Sequence, residues 1–164
     1  MDLRKIYEYA LQRERDGRDF FRDNAGRFSH AAVTGMFERL AEEEEKHIRF
    51  IQGLIQRLEA DGTVDVTAGE EMEGAGFFST RAESEMLDQT IIESMVPDLP
   101  VLRTAYLIER DFAEFYEMAA GRVEDETAAR SLEMLARWER QHEKLFKAMH
   151  DRAFEEYASM PWGG

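Results

Sequence analysis

The 164-residue sequence contains no cysteine. This absence excludes disulfides, zinc ribbons, thiol catalysis and any iron centre held by thiolates. Proline is also scarce: Pro97, Pro100 and Pro161 are the only three, and all lie outside the long periodic segments. Because proline interrupts helices, its scarcity in those segments favours an all-α protein.

Basic residues are few relative to acidic ones, with 21 Lys and Arg against 35 Asp and Glu and a formal net charge of −14. Nucleic-acid binding requires clustered basic side chains, so we expect no nucleic-acid partner; an acidic surface attracts cations instead. No apolar run approaches the roughly 18 residues of a membrane span, and the charged N-terminal segment lacks the apolar core of a signal peptide. We therefore expect a cytoplasmic protein with no membrane partner.

Four long segments carry apolar residues alternately three and four positions apart, the spacing of one helical face. Apart from Asn24 in the first segment, these apolar or small-residue stripes are interrupted only by glutamate and histidine. The interrupting residues are Glu14, Glu44, His47, Glu109, Glu139 and His142. All six side chains are thus predicted to face the core.

The six residues form an internal repeat. Glu14 and the following Glu44-x-x-His47 recur at a constant offset of 95 residues, and residues 10–50 align with 105–145 without a gap. Helical periodicity explains matching apolar positions, but it does not require glutamate and histidine at equivalent core positions. Each half is therefore predicted to supply one side of a pseudo-symmetric site.

A metal-ligand role explains why these charges lie in a core. A lone glutamate on a helix is usually solvated, and Glu42, Glu43 and Glu45 are interpreted in this way. Four buried carboxylates, in contrast, need compensation, because an unpaired buried charge costs several kcal/mol. Two divalent cations would supply it.

The spacing within each half also predicts how the ligands divide between two ions. Residues at i and i+3 share a helical face, so Glu44 and His47 can reach one ion. We expect Glu44 and Glu139 to bridge two metals, Glu14 and Glu109 to be terminal, and each histidine to bind one ion. Iron or manganese suits this oxygen-rich set, and zinc remains possible.

The chain length predicts one domain over residues 1–164. The spacing of the ligands predicts a ferritin-like four-helix bundle with a long crossover connection. Hairpin 1 spans about 1–60, the crossover about 61–98 and hairpin 2 about 99–158. Within the crossover, the stretch through Gly69, Gly74 and Gly76 is interpreted as loop. A short helix over about 81–95, opened by the capping box Thr80-x-x-Glu83, is predicted to end before Pro97, and Asp98 to cap the third long helix.

Four ordered motifs resemble the ferritin-like di-iron carboxylate superfamily, and most closely its rubrerythrin branch. They are Ala10-x3-Glu14-x5-Phe20-Phe21, Leu40-Ala41-x2-Glu44-x2-His47, Ala105-x3-Glu109-x5-Phe115-Tyr116 and Leu135-Ala136-x2-Glu139-x2-His142. The resemblance implies a site of two iron ions that reacts with hydrogen peroxide or dioxygen, commonly in protection from oxidative stress. It also implies a homo-oligomer.

Three departures from the family pattern refine this expectation. Without cysteine there is no rubredoxin-like iron site, so the electron donor is expected to be a separate protein such as a rubredoxin. Phe112 stands where rubrerythrins tend to place a further glutamate, which makes the ligand count closer to that of ferritin oxidation centres. Of two positions where the family often has tyrosine, Tyr116 keeps it and Phe21 does not; Tyr116 is either a hydrogen-bond partner of a ligating carboxylate or an ordinary core aromatic.

Three functions follow as alternatives. The first is an oxidoreductase, of peroxidase or ferroxidase type, whose catalytic site is the two-metal site. The second is an iron-binding or iron-storage protein, and the third is a metal-free helical scaffold. His30 and His150 lie off the ligand face and are interpreted as surface residues.

Overall fold

The computed structural model describes residues 2–85 and 89–161. Four long helices account for most of the chain: α1 (Leu3–Ala25), α2 (Ala31–Asp61), α6 (Leu99–Ala120) and α7 (Glu126–Ser159). Between α2 and α6, the crossover contains α3 (Thr67–Ala75), α4 (Phe78–Glu85), α5 (Gln89–Met95) and one 3₁₀ turn (Val96–Asp98). The predicted all-α, ferritin-like bundle with a long crossover is confirmed.

The helix ends follow local sequence signals. The Asp125 carboxylate accepts a hydrogen bond from the Ala128 amide at 2.7 Å and so caps the start of α7. At the same end of the bundle, α2 stops at Gly62, which adopts a left-handed conformation with φ of 73°. Glycine takes this conformation without the steric cost that other residues bear. These signals delimit the hairpins α1–α2 and α6–α7.

The core consists of two apolar clusters, one at each end of the bundle. The Tyr7 cluster includes Tyr7, Ala10, Phe50, Ile51, Leu54, Phe112, Tyr116, Leu132, Leu135 and Trp138. The Phe21 cluster includes Phe21, Phe37, Leu40, Met95, Leu102, Ala105, Leu145, Phe146 and Met149. Every long helix contributes to both clusters, with its predicted ligand residues between the two contributions. The ionisable residues therefore lie at mid-height, with apolar packing above and below.

The order of the clusters along each helix gives the topology. α1 and α7 pass from the Tyr7 cluster to the Phe21 cluster, whereas α2 and α6 pass in the opposite sense. Helices within each hairpin are therefore antiparallel, but α2 and α6 are parallel. A parallel pair requires the connecting chain to return along the bundle, which explains the long crossover.

The crossover departs from prediction in its first part. The expected loop through Gly69 and Gly74 is wrong over Thr67–Ala75, which form α3. Gly69 is buried, and a Cβ atom there would lie within 3 Å of both Phe50 and Met134. This glycine therefore allows α3 to approach α2 and α7 closely, which is a long-range requirement that the local sequence does not reveal.

The predicted helix start is also wrong. α4 begins at Phe78, so Thr80 lies inside the helix and its hydroxyl donates to Gln141 Oε1 at 2.8 Å instead of capping. The side chain of Glu83, the other half of the predicted capping box, lies outside the described part of the structure. Asp98 occupies the N-cap position of α6, but its side chain makes no capping hydrogen bond.

Among the described residues, no helix is both long enough and apolar enough to cross a membrane.

Replacing Gly69 with alanine should lower the thermal midpoint, because the new Cβ atom would overlap Met134 and the Phe50 ring. Overpacking of this kind costs about 1–3 kcal/mol. Gly74→Ala, in the same helix, is the matched control, since nothing lies within 4 Å of its Cβ position. Equal midpoints for the two variants in calorimetry would contradict the close packing of α3.

Candidate metal centre

The structure brings all six sequence-predicted residues together in the middle of the bundle. They form two overlapping groups whose potential ligand atoms lie within 4.8 Å of one another. One group is Glu14, Glu44, His47 and Glu139, and the other is Glu44, Glu109, Glu139 and His142. The two shared carboxylates, Glu44 and Glu139, are those predicted to bridge. All six side chains are at most 1% exposed.

Each imidazole turns its Nδ1 atom toward the carboxylates. His47 Nδ1 lies 3.0 Å from Glu139 Oε1, 3.1 Å from Glu14 Oε2 and 3.4 Å from Glu44 Oε2. His142 Nδ1 lies 2.8 Å from Glu44 Oε1, with oxygens of Glu139 and Glu109 at 3.5 and 3.6 Å. Both rings thus point their Nδ1 atoms at a shared centre.

These short contacts leave the polar atoms poorly satisfied. Both carboxylate oxygens of Glu44, Glu109 and Glu139 are buried without a geometrically acceptable hydrogen bond from any described residue, and so is His142 Nδ1. Convergent oxygen and nitrogen atoms that do not satisfy one another are the arrangement that cations require. The donor set therefore fits two divalent metal ions, and it does not fit the mutually satisfied network that a metal-free scaffold needs.

Without a cation, protons must compensate the clustered charge. Burial, together with the negative charge of Glu139, raises the pKa of Glu14 well above its ordinary value, and burial with Glu44 does the same for Glu109. Burial lowers the pKa of His47, but the adjacent carboxylates outweigh it and raise that pKa well above the usual range. Metal ions binding here would displace these protons, so binding releases protons.

Tyr116 contacts one of the predicted terminal ligands. Its hydroxyl, fully buried, donates a hydrogen bond to Glu14 Oε1. Burial and the charge of Glu14 raise the pKa of Tyr116 well above its ordinary value, so the hydroxyl keeps its proton. The structure therefore contains the hydrogen bond that the tyrosine hypothesis requires, whereas Phe21, its counterpart in the repeat, offers no hydroxyl.

The prediction that Glu43 is solvated is wrong. Glu43 is 1% exposed, not solvated, and its Oε2 atom accepts a hydrogen bond from His142 Nε2 at 3.0 Å. Its carboxylate also accepts hydrogen bonds from the backbone amides of Phe78 and Ser79, at the start of α4. Burial raises the pKa of Glu43, but the hydrogen bond and charge of His142 outweigh it and leave the pKa at about 2.

The internal repeat indicates that Glu43 is buried. The 95-residue offset aligns Glu43 with Trp138. A large apolar residue such as tryptophan is typical of a buried position, not of a solvated one. Trp138 is buried in the structure and stacks on His47, with ring centroids 4.9 Å apart. Both members of the aligned pair thus contact an imidazole of the site, Glu43 through a hydrogen bond and Trp138 through ring stacking.

The remaining histidines stay outside the site. His30 is at the start of α2, where its Nδ1 atom accepts a hydrogen bond from the Ala32 amide at 3.3 Å. His150 Nδ1 lies 3.1 Å from Asp151 Oδ1. Within the described part of the chain, neither belongs to a group that could hold a metal ion.

Fold and site together define a ferritin-like four-helix bundle with a buried carboxylate–histidine cluster. A family model described as Rubrerythrin matches residues 5–150, and the chain belongs to the rubrerythrin family. Membership of this family suggests a di-iron protein. No curated protein and no solved structure matches the chain significantly.

Replacing Tyr116 with phenylalanine should alter the visible spectrum of the oxidised, iron-loaded protein and slow its oxidation by about 10-fold or more, since Glu14 loses its orienting hydrogen bond. Tyr7→Phe is the control. Tyr7 is equally buried, but its hydroxyl forms its hydrogen bond with Ser131 Oγ, at 2.7 Å, and not with a predicted ligand. If Tyr116→Phe behaves like Tyr7→Phe in stopped-flow spectroscopy, Tyr116 is only a packing residue.

Proposed function

We propose that the chain is a di-iron oxidoreductase of rubrerythrin type, which reduces hydrogen peroxide or dioxygen as its iron alternates between Fe(II) and Fe(III). The proposed ligands are Glu14, Glu44, His47, Glu109, Glu139 and His142. The observation that carries the proposal is the pair of four-residue groups that share two buried carboxylates. Family membership supports iron as the metal.

The donor set is consistent with iron in both charge and chemistry. Four carboxylates contribute a charge of −4, which two divalent cations balance, and oxygen ligands with one imidazole per ion suit iron or manganese. Zinc can compete for the same donors. When bound, the iron pair supplies the two electrons that reduction of a peroxide bond requires.

The surrounding protein fixes the positions and orientations of the ligand side chains and keeps water away from them. Glu44 and Glu139, supplied by opposite hairpins, each lie within 3.5 Å of both imidazole Nδ1 atoms, and Tyr116 orients Glu14. The Tyr7 and Phe21 clusters exclude water from both ends of the site. In such a low-dielectric environment the interaction between carboxylates and cations is stronger than in water.

A catalytic cycle needs a source of electrons. The chain has no cysteine with which to hold a second, thiolate-bound iron centre. The proposed donor is therefore a separate electron-transfer protein, such as a rubredoxin.

Metal analysis tests the ligand assignment directly. Protein produced in iron-supplied cells should contain about two metal ions per chain, and Glu44→Ala and His142→Ala should lose most of this metal because each removes a donor from the cluster. Glu42→Ala is the matched control on the same helix, since Glu42 is exposed. Equally low metal in all four proteins would refute the di-iron proposal.

Iron storage is a second candidate, and Phe112 favours it. This side chain is buried, its ring is stacked beneath the Arg13 guanidinium at 4.2 Å, and its edge lies close to Gly17. An aromatic ring occupies the position where related peroxidases tend to have an additional glutamate, so this position cannot supply an exchangeable ligand. A fixed six-residue ligand set is closer to that of ferritin oxidation centres.

Repeated anaerobic additions of Fe(II), each followed by oxidant, distinguish the two functions. For the proposed oxidoreductase, protein-bound iron should stay near two ions per chain, because the six ligands form the whole site. Progressive accumulation of Fe(III) in an assembly would favour storage instead. Running the additions separately with peroxide and with dioxygen gives the relative oxidation rates, which distinguish a peroxidase from a ferroxidase.

A further inference from the structure

The two halves of the site match in their ligands but differ in the residues that contact the imidazoles. Glu43 and Trp138 occupy equivalent positions in the repeat. Glu43 lies behind His142 and accepts its Nε2 hydrogen bond at 3.0 Å. Trp138 stacks on the ring face of His47, with centroids 4.9 Å apart, and His47 Nε2 has no hydrogen-bond partner among the described residues.

Glu43 is held firmly in place. Its Oε1 atom accepts a hydrogen bond from the Phe78 amide, and its Oε2 atom accepts one from His142 Nε2. The Ser79 amide nitrogen lies 3.3–3.4 Å from both oxygens. The backbone amides at the start of α4 therefore fix the carboxylate before any ligand binds. A fixed acceptor of this kind determines the tautomer and the orientation of the imidazole.

The expected consequence is a difference in donor strength. An imidazole whose outer N–H donates to a carboxylate is a more basic metal ligand, and its Nδ1 lone pair is directed toward the cluster. His47 lacks this partner, and its buried Nε2–H remains unsatisfied, which is unfavourable. Tyr116 orients Glu14 on the His47 side, but its neutral hydroxyl withdraws charge from the carboxylate, whereas Glu43 adds charge to His142.

We propose that the two metal positions are unequal, with the Glu109–His142 position binding the first ion tightly and the Glu14–His47 position binding the second ion more weakly. In this arrangement Glu43 is a positioning residue that acts through His142. The inference rests on the proposed two-metal site and adds an order of occupancy to it.

Anaerobic titration of the metal-free protein with Co(II) tests the inequality without any redox step. Calorimetry together with the visible absorption of Co(II) should resolve two steps in the wild type. Glu43→Gln should weaken the first step about 10- to 100-fold and change the second step much less. Glutamine has nearly the same shape as glutamate, but its single side-chain oxygen cannot accept hydrogen bonds from both the Phe78 amide and His142.

Glu42→Gln provides the matched control, since it makes the same change at an exposed neighbour. Both of its Co(II) steps should equal those of the wild type, and thermal melts should show that all variants are folded. If Glu43→Gln fails to fold, the histidine variants decide the question. His47→Ala should keep the tight step and lose the weak one, whereas His142→Ala should lose the tight step.

A double-mutant cycle separates positioning from a general structural effect. In the His142→Ala background, Glu43→Gln should change Co(II) affinity no further, because its only route to the ion is gone. Two equal steps in the wild type, or equal weakening of both steps by Glu43→Gln, would overturn the inequality while leaving the two-metal site intact. A wild type that binds no Co(II) would overturn the proposed function itself.

Discussion

The burial of four carboxylates in one helical bundle is the constraint on which the rest of the structure depends. Glu14, Glu44, Glu109 and Glu139 are all excluded from solvent, and like charges this close cannot all remain ionised without compensation. Two imidazoles offset part of the charge, and burial with the neighbouring carboxylates raises the pKa of Glu14 and of Glu109, which favours their protonated forms when no cation is bound. The apolar clusters above and below keep water away from the carboxylates, so solvent cannot stabilise the charge in place of protons or cations.

The internal repeat explains how such a costly arrangement is built. Each hairpin brings two carboxylates and one histidine at the same heights, so two copies facing one another complete the set. The ligands have stayed equivalent while their neighbours differ, at the aligned pairs Phe21 and Tyr116, Gly17 and Phe112, and Glu43 and Trp138. The centre is thus symmetric in its donors and asymmetric in its surroundings, which is how two chemically identical ligand sets can acquire different properties.

The sequence alone predicts the features that depend on periodicity. The apolar stripes predict four long helices, and the position of Glu14 or Glu109 within a stripe predicts that it faces the core. Features that depend on distant contacts are missed. The local sequence around Gly69 predicts a loop, because the packing of Phe50 and Met134 against this glycine is a long-range contact. Glu43 is predicted to be solvated because its partners, the start of α4 and His142, are far away in the sequence.

Those missed contacts show that the crossover completes the site as well as connecting the hairpins. Glu43, the hydrogen-bond acceptor of His142, also binds the first amides of α4. The Trp138 indole, stacked on His47, donates a hydrogen bond to Glu73 of α3 at 3.1 Å. Each imidazole therefore contacts a residue that is itself hydrogen-bonded to the crossover. A simple up-and-down bundle with a short connection would provide neither of these partners. The long connection thus holds the Glu43 carboxylate of α2 and the Trp138 indole of α7 by hydrogen bonds from two different helices, α4 and α3. The surroundings of the two imidazoles therefore differ in a way that two hairpins related by a strict repeat could not provide.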